Sequence, residues 1–253
     1  MGEIEIGAYV APGAVLHPDV SVAPGAVIHD GAEIGQGTVI GSCTVIYGGV
    51  RVGAGCTIED SVVLGKRPRL RPGSSAAGAA GSLQIGDGVT VCCGAIVYAG
   101  AVIADRVIIG DQTQVRERSV IGERSVVGRG SCVDYDARVG ARVLIQTDVY
   151  ITGGAIVEDD VFIGPGVVMT NDSAMGRHAP GEPLLAPVLR RACRVGGGVV
   201  LTPGVEVGEE AYIGAGAVLT RDLAPRAVAI GVPARAVRRV GDEDLLERWH
   251  QTP

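Results

Sequence analysis

Aliphatic residues recur at every sixth position along most of this chain, and this period constrains the fold more than any other feature. An α-helix repeats every 3.6 residues, so a six-residue period does not keep one helical face, whereas it preserves the two-residue alternation of a strand. The aliphatic positions form three runs, which are Ile4, Val10, Leu16, Val22, Ile28, Ile34, Ile40, Ile46, Val52, Ile58 and Leu64, then Ile85, Val91, Val97, Ile103, Ile109, Val115, Ile121, Val127, Val133, Val139, Ile145, Ile151, Val157, Ile163 and Met169, then Val195, Leu201, Val207, Ile213 and Leu219.

Two other positions of the six-residue unit are also restricted. The residue four after each aliphatic is usually small or β-branched, as at Ala26 and Ser125, and the residue one after is often Gly, as at Gly35 and Gly122. We expect a short strand followed by a tight corner, at which Gly supplies the backbone freedom. The aliphatic and the small residue would then both point inward.

The composition agrees with such a narrow aliphatic core. Hydrophobic residues make up 47% of the 253 residues but aromatic residues only 3%, so the core must be filled by small and branched side chains. The net charge of −6 argues against nucleic-acid binding. MGEIEIGAYV has no basic region and no stretch is apolar for long enough to span a membrane, so we expect a cytoplasmic protein without a membrane partner. The six Cys show no CxxC pair or other zinc spacing, which predicts reduced thiols and no metal.

The period is interrupted twice, at about 65–84 and at about 171–194. The first interruption contains the basic residues Lys66, Arg67, Arg69 and Arg71 and then a stretch rich in Gly, Ala and Ser. It is interpreted either as a flexible solvated loop or as a basic arm that contacts phosphates of a nucleotide or of coenzyme A. Long excursions from a regular scaffold tend to be functional, and the second one, which begins at Asn171, is expected to cover the reacting groups.

This pattern resembles the hexapeptide repeat of left-handed parallel β-helices, and the resemblance covers nearly the whole chain. It implies an all-β fold in which three hexapeptides make one coil of 18 residues, and about ten coils stack at the strand spacing of about 4.8 Å. The left-handed winding follows from the resemblance alone. Residues 1–240 would form one β-helix domain, and 241–253 a short helical tail that caps the open end.

Two segments resemble acyl-CoA-dependent hexapeptide acyltransferases more closely. IGAGAVLTRDLAPRAVAIGVPAR is similar to their terminal coil, and IQTDVYITGGAIVEDDVFIGPGVVMTND resembles the branch that acts on nucleotide-linked amino sugars. The resemblance implies a homotrimer with sites between adjacent prisms and an acyl-CoA, most simply acetyl-CoA, as co-substrate. Backbone groups at Gly214, Ala215 and Gly216 would line the pantetheine arm, with Arg221 and Arg235 facing the phosphates and Pro233 at the adenine end. Val232 departs from the family's frequent Asn.

Acyl transfer needs a group that accepts the proton of the attacking amine or hydroxyl. Of the four His, only His178 lies in the second excursion, so it is either the base or a surface residue without a role. Asn171 and Asp172 match the family's Asn-Asp and either orient the acceptor or form a polar turn, and Arg177 is a further substrate-binding candidate.

Stacking at 18 residues places Gln146, Thr147 and Asp148 between glycine-rich corners, with open space around Asp148. Gln146 and Thr147 would bind substrate. Asp148 stands where the family usually has Asn, and it either binds an ammonium and accepts its proton or is an ordinary corner residue. The same arithmetic aligns Arg116 with Asp134, which we expect to be an ion pair between coils.

The leading hypothesis is therefore an acetyl-CoA-dependent N-acetyltransferase that acts on a nucleotide-linked amino sugar by direct attack of the amine on the thioester. The alternatives are an O-acetyltransferase of a small hydroxylated metabolite and a non-catalytic β-helix scaffold. A metal site built from His is excluded because the middle coils lack clustered His.

Overall fold

The fold is a parallel β-solenoid, seen in a computed structural model that describes residues 2–179 and 182–249. Each strand is short, and a four-residue corner separates most of them. Before the first excursion the strands are β1 (Tyr9–Val10), β2 (Val15–Leu16), β3 (Ser21–Val22), β4 (Val27–Ile28), β5 (Glu33–Ile34), β6 (Val39–Ile40), β7 (Val45–Ile46), β8 (Arg51–Val52), β9 (Thr57–Ile58) and β10 (Val63–Lys66).

Between the two excursions the chain completes five further coils. The strands there are β11 (Gln84–Ile85), β12 (Thr90–Val91), β13 (Ile96–Tyr98), β14 (Val102–Ile103), β15 (Ile108–Ile109), β16 (Gln114–Val115), β17 (Val120–Ile121), β18 (Val126–Val127), β19 (Cys132–Val133), β20 (Arg138–Val139), β21 (Leu144–Ile145), β22 (Tyr150–Ile151), β23 (Ile156–Val157), β24 (Phe162–Ile163) and β25 (Val168–Met169).

After the second excursion the solenoid resumes and ends with one antiparallel strand and two helical turns. These elements are β26 (Val188–Leu189), β27 (Arg194–Val195), β28 (Val200–Leu201), β29 (Glu206–Val207), β30 (Tyr212–Ile213), β31 (Val218–Leu219), β32 (Ala227–Ile230), β33 (Arg235–Arg239), a 3₁₀ turn (Asp242–Asp244) and α1 (Leu246–Trp249).

Every third strand pairs in register with its neighbour, which gives three sheets. Sheet I runs from β1 to β31 with eleven strands, sheet II from β2 to β29 with ten, and sheet III from β3 to β33 with twelve. The solenoid therefore has about twelve turns, where the sequence predicted about ten. The chain passes from sheet I to sheet II at corner 1, from sheet II to sheet III at corner 2, and from sheet III back to sheet I at corner 3.

The second residue of almost every two-residue strand points into the axis, as the six-residue period predicts. In sheet I these side chains form one continuous buried row, which is Ile28, Ile46, Leu64, Val97, Val115, Val133, Ile151, Met169, Leu201 and Leu219. Fully burying an aliphatic side chain of this kind contributes about 1.5–3 kcal/mol, so the row accounts for much of the stability of each coil. The predicted all-β solenoid with an aliphatic core is confirmed.

The predicted role of the corner glycines is wrong. Positive φ occurs two residues later than these glycines, at Gly37 (67°) and also at non-glycine residues such as Arg124 (56°). Gly35 is required for a different reason, because a Cβ there would lie 2.5 Å from the carbonyl carbon of Gly53 in the next coil. The close approach of successive coils selects Gly at that position.

The second excursion is shorter than the predicted 171–194. It ends before β26, so Leu189, six residues before Val195, already points into the core with no exposed surface. The sequence obscured this coil because β26 directly follows Pro187, and the next corner, Arg190 to Cys193, contains no Gly.

The C-terminal segment closes one side of the last coils. β33 pairs antiparallel with β32, and the backbone N–H of Leu246 donates to Glu210 Oε1 at 2.9 Å at corner 2. Residues 250–253 of the predicted tail, and 180–181 of the second excursion, lie outside the described residues. Among the described residues, no helix is long and apolar enough to cross a membrane.

Candidate functional site

Both excursions leave the solenoid at the same corner. The first spans residues 67–83 between β10 and β11, and the second spans 170–187 between β25 and β26, so both occupy corner 1. The two departure points are five strands apart in sheet I, or roughly 24 Å at a strand spacing of about 4.8 Å. The sequence predicted two excursions but gave no sign that they share one edge.

The two excursions enclose a cavity of about 490 Å³ against corner 1, which we call the two-loop groove. This volume lies within the range of about 300–1,000 Å³ that is typical of small-molecule sites. The groove is lined by Gly73, Ser74, Ser75, Tyr135, Asp136, Gly153, Gly154, Asn171, His178, Glu182, Pro183 and Leu184.

The first excursion is held against the solenoid by specific contacts. Ser75 Oγ and the hydroxyl of Tyr135 are 2.7 Å apart, and Nη2 of Arg118 donates to the carbonyl of Ala76 at 3.0 Å. Ala76 is buried. The Gly/Ala/Ser-rich part of this excursion is therefore a docked wall of the groove. Its basic residues do not line the groove, and their contact with phosphates stays a prediction.

Tyr135 connects the wall to the floor of the groove, and sequence reasoning missed it. Its ring lies over Gly153, where an added Cβ would be 2.7 Å from the ring carbon Cζ. Tyr135, Gly153 and Asn171 are 18 residues apart, so they occupy equivalent positions in successive coils. A Gly that follows an aromatic residue by one coil was the available signal.

A charged and aromatic cluster supports Tyr135 from below. The guanidinium carbon of Arg116 lies 5.9 Å from the centroid of the Tyr135 ring and 5.4 Å from that of Tyr98. Arg116 Nη1 donates to Asp134 Oδ1 at 3.1 Å, which confirms the predicted ion pair. Arg116 also forms two hydrogen bonds with Glu117, whose side chain is fully buried. The floor is thus fixed by paired charges.

Asn171, Asp172 and His178 lie together at the second excursion. Asn171 Nδ2 donates to the carbonyl of Gly153 at 2.9 Å, which ties the start of the excursion to the preceding coil. The Asp172 carboxylate accepts backbone N–H groups from Gly176 at 2.6 Å and Ala174 at 2.8 Å. These bonds, that of Gly176 first, lower the pKa of Asp172, and the nearby His178 also contributes.

The imidazole of His178 lines the groove between two oxygen atoms. Nδ1 lies 3.2 Å from the carbonyl of Ala179, so it donates there in the neutral tautomer, and the lone pair of Nε2 is left available. Nε2 is 3.6 Å from Asp172 Oδ2. A proton taken up at Nε2 would produce an imidazolium beside this carboxylate, which is the arrangement that a general base requires. Arg177 is exposed and does not line the groove.

Gln146, Thr147 and Asp148 lie at corner 3, at the other edge of sheet I from the groove. Asp148 is exposed, has a φ of 57°, and its amide donates to the carbonyl of Arg129 at 3.0 Å. The sequence treated these residues and Asn171 as parts of one site, whereas a single chain places them at different corners. Stacking arithmetic gave the coil but not the corner at which the excursion leaves.

The predicted cofactor residues also divide between two corners. Gly214, Ala215 and Gly216 lie at corner 3, and a Cβ added at Gly216 would meet nothing within 4 Å, so the surface there is open. Arg221 and Arg235 line a separate cavity of about 270 Å³ beside the end of β31. Pro233 follows a cis peptide bond in the connection between β32 and β33.

Corner 3 has open space in several coils near Gly216. Gly166, Gly198 and Gly216 occupy equivalent positions there, and an added Cβ at any of them would meet nothing within 4 Å. Asp148 occupies the same position one coil before Gly166. The chain therefore presents a smooth edge that starts beside a carboxylate and continues toward the last coils.

The solenoid, its two excursions and the open corner define a hexapeptide-repeat protein of the transferase type. Residues 31–66, 136–171 and 186–221 match the family model described as bacterial transferase hexapeptide (six repeats). The chain belongs to this hexapeptide-repeat family. No sequence among the curated proteins compared with it matches.

Solved structures with a similar fold are acyltransferases by their descriptions. A UDP-N-acetylglucosamine acyltransferase from Arabidopsis is 17% identical, with a TM-score of 0.50 over 95% of this chain and 77% of that chain. The enzyme of the same description from Campylobacter jejuni is 17% identical, with a TM-score of 0.49 over 94% and 75% of the two chains. That from Bacteroides fragilis is 19% identical, with a TM-score of 0.49 over 94% and 74%. At these identities the likeness concerns the fold.

Proposed function

We propose that the protein is an acyl-CoA-dependent N-acyltransferase whose acceptor binds in the two-loop groove. The observation that carries this proposal is the position of His178, which lines the groove with Nε2 directed at the carboxylate of Asp172. The transferase description of the family supports group transfer, and the acyltransferases of similar fold support an acyl group.

The reaction forms an N–C bond and breaks a C–S bond. The amine nitrogen of the acceptor attacks the thioester carbonyl, the coenzyme A thiolate leaves, and the proton lost by the nitrogen passes to His178 Nε2. Asp172 stabilises the resulting imidazolium because its carboxylate stays ionised, as the lowered pKa of this group indicates. Asn171 holds the start of the second excursion in place through its bond to Gly153.

The charges around the groove favour an acceptor with an amino group. Its described lining contains two carboxylates, Asp136 and Glu182, and neither Lys nor Arg. Asp136 is paired with Arg118 at 2.7 Å, and Glu182 accepts the N–H of Ala179 at 3.0 Å. An amino sugar fits such a lining. If the sugar is nucleotide-linked and N-acetylated, as the resemblance implies, its phosphates must lie outside the groove, where Arg177 is exposed.

The co-substrate is assigned to corner 3 of the last coils. The open surface at Gly214, Ala215 and Gly216 would accept the pantetheine arm, and Arg221, Arg235 and Pro233 would contact the nucleotide end. Because this corner and the groove lie at opposite edges of sheet I, acceptor and donor meet only if a neighbouring prism brings its own corner 3 beside the groove. The proposal therefore includes a homotrimer, in which Gln146, Thr147 and Asp148 of one chain complete the site of the next. We further propose a cytoplasmic location.

An O-acyltransferase is the second candidate, and the pairing of His178 with Asp172 favours it. A hydroxyl is a weaker nucleophile than a neutral amine and depends more on a base. The two reactions differ in pH dependence. If the acceptor is an amine, activity is expected to rise with pH through the pKa of its ammonium group, and a flat profile over that range contradicts direct attack by an amine.

Binding of coenzyme A separates both enzymes from a non-catalytic scaffold. A ligand at about 100 times its Kd stabilises the native state by about 2.7 kcal/mol, so saturating coenzyme A should raise the thermal midpoint. An Arg221→Ala, Arg235→Ala double variant should lose most of this shift, and Arg51→Ala, a surface arginine of the N-terminal coils, should keep it. An unchanged midpoint in the wild-type protein would leave the scaffold as the better explanation.

A further inference from the structure

Corner 3 carries a second group of reactive side chains in the N-terminal half of the solenoid. Glu59, Cys92 and Asp111 come from three successive coils, after β9, β12 and β15. One carboxylate oxygen of Glu59, one of Asp111 and the Sγ of Cys92 lie within 4.8 Å of one another. These residues lie two coils or more before Asp148 and are not used by the proposed acyl transfer.

The Glu59 carboxylate is held in position by the adjacent cysteine. Its Oε2 accepts the backbone N–H of Cys93 at 3.0 Å and the thiol of Cys93 at 3.3 Å. Glu59 and Cys92 are partly buried, while Asp111 is exposed. The group is thus ordered on one side and open to solvent on the other, so that an ion can enter.

The cluster has no basic counterpart. In the part of the chain that the structure describes, neither Glu59 nor Asp111 forms a salt bridge with Lys, Arg or His. Burial, and then the charges of Glu59 and Asp111, raise the pKa of Cys92 to about 11. Two carboxylates and a thiol that oppose each other's ionisation are stabilised together by a cation placed between them.

We propose that Glu59, Cys92 and Asp111 bind a divalent transition-metal ion of the zinc class. One thiolate and two carboxylate oxygens are a mixed donor set that Zn²⁺ accepts, whereas Mg²⁺ and Ca²⁺ prefer oxygen alone. On binding, the Cys92 thiol releases its proton to solvent and the thiolate coordinates the ion. Three protein ligands leave one tetrahedral position, which water fills.

The site is invisible to sequence spacing because the solenoid builds it from distant residues. Glu59 and Cys92 are 33 residues apart, since the first excursion lies between them, and Cys92 and Asp111 are 19 apart. No CxxC or similar motif results, and the expectation that the chain binds no metal rested on that absence. The 18-residue stacking replaces the short spacing of an ordinary zinc motif.

The test is Co²⁺ and Zn²⁺ binding to the full-length protein, reduced and stripped of metal by a chelator. The wild-type protein should show the near-ultraviolet thiolate-to-Co²⁺ charge-transfer band, which saturates at one ion per chain and disappears when Zn²⁺ is added. Cys92→Ser should abolish the band, and Asp111→Asn, at an exposed residue that leaves the fold intact, should weaken Zn²⁺ binding by about tenfold or more.

Cys43→Ser is the matched control, because Cys43 is an exposed thiol at corner 3 outside the cluster, and it should bind like the wild type. Thermal midpoints without metal show whether each variant is folded. Absence of the band in the wild-type protein, its persistence in Cys92→Ser, or unchanged Zn²⁺ affinity in Asp111→Asn each overturns the proposal. The readout does not involve acyl transfer, so it is independent of the proposed function.

Discussion

At the scale of single residues, Asp172 links the shape of the second excursion to its chemistry. Its pKa is lowered because the ionised carboxylate accepts N–H groups of Gly176 and Ala174. A carboxylate whose folded-state pKa is depressed stabilises the turn at pH values above its unfolded pKa, and this contribution is lost as the pH falls through the folded value. Amide exchange at Gly176 should therefore be slow at neutral pH and accelerate, relative to the intrinsic rate, only below the ordinary range of an Asp.

His178→Ala tests whether the groove contains a general base. Such a base typically contributes about 10²–10⁴-fold, so kcat should fall by about 10²-fold or more while the KM for the acceptor changes little. Ser173→Ala, at an exposed residue of the same excursion, should keep both constants. Steady-state kinetics measure the split, and a kcat equal to that of the wild type would reduce His178 to a wall of the groove.

At the scale of elements, hydroxyl groups connect successive coils. Ser125 Oγ donates to the carbonyl of Gly140 at 2.8 Å and accepts the N–H of Val143 at 2.9 Å, both in the next coil. The same pair of bonds is made at Thr38, Thr44, Ser119 and Ser131. Small size was the property that the sequence suggested for this position, but the hydroxyl also satisfies two buried backbone groups.

Ser125→Ala should therefore destabilise the solenoid by more than its lost volume suggests. It leaves the Val143 N–H and the Gly140 carbonyl unpaired in a buried place, which costs about 1–3 kcal/mol. Thermal unfolding should start at a lower temperature, and exchange of the Val143 amide should accelerate. Ser21→Ala, on the outer face of sheet III, provides the comparison. Equal midpoints for the two variants would mean that the coil-to-coil bonds contribute nothing.

The sequence predicted the solenoid but only half of the groove, for a physical reason. The six-residue period follows from burial inside the coil, so it is present in every aliphatic residue and can be read directly. The groove depends on where the two excursions fold after they leave, which local spacing does not encode. Asn171 and His178 were predicted because they lie in an excursion, whereas Ser75 and Tyr135, 60 residues apart, meet only in three dimensions.

Docking of the first excursion can be tested at the bond between Ser75 and Tyr135. Tyr135→Phe removes the hydroxyl without removing the ring, and the net contribution of such a bond is about 0.5–1.5 kcal/mol. Trypsin should then cleave after the basic residues of the first excursion about twofold to tenfold faster. Ser75→Ala should have the same effect, and the double variant should add nothing. Additive effects would show that the two residues act separately.

At the scale of the whole molecule, the outer face of sheet III carries an apolar row beside corner 3. Ile108, Val126, Leu144 and Phe162 are aligned in four successive strands, β15, β18, β21 and β24, and Ile108 and Leu144 are each 42% exposed. The strands before them carry Thr90 and Thr57 at the same position. The row is therefore confined to the coils that approach Asp148, on a face that borders the edge proposed to meet a neighbouring prism.

We expect this row to form the contact between copies in the proposed trimer. Light scattering of the wild-type protein should give three times the chain mass of 25.7 kDa. Leu144→Glu places a charge that must be desolvated in the centre of the contact, so this variant should elute as a monomer and lose acyl transfer. Val39→Glu lies on the same sheet outside the row and should stay trimeric. A Leu144→Glu trimer would place the contact on another face, and a wild-type monomer would contradict a site shared between chains, because the groove and the open corner would then never meet.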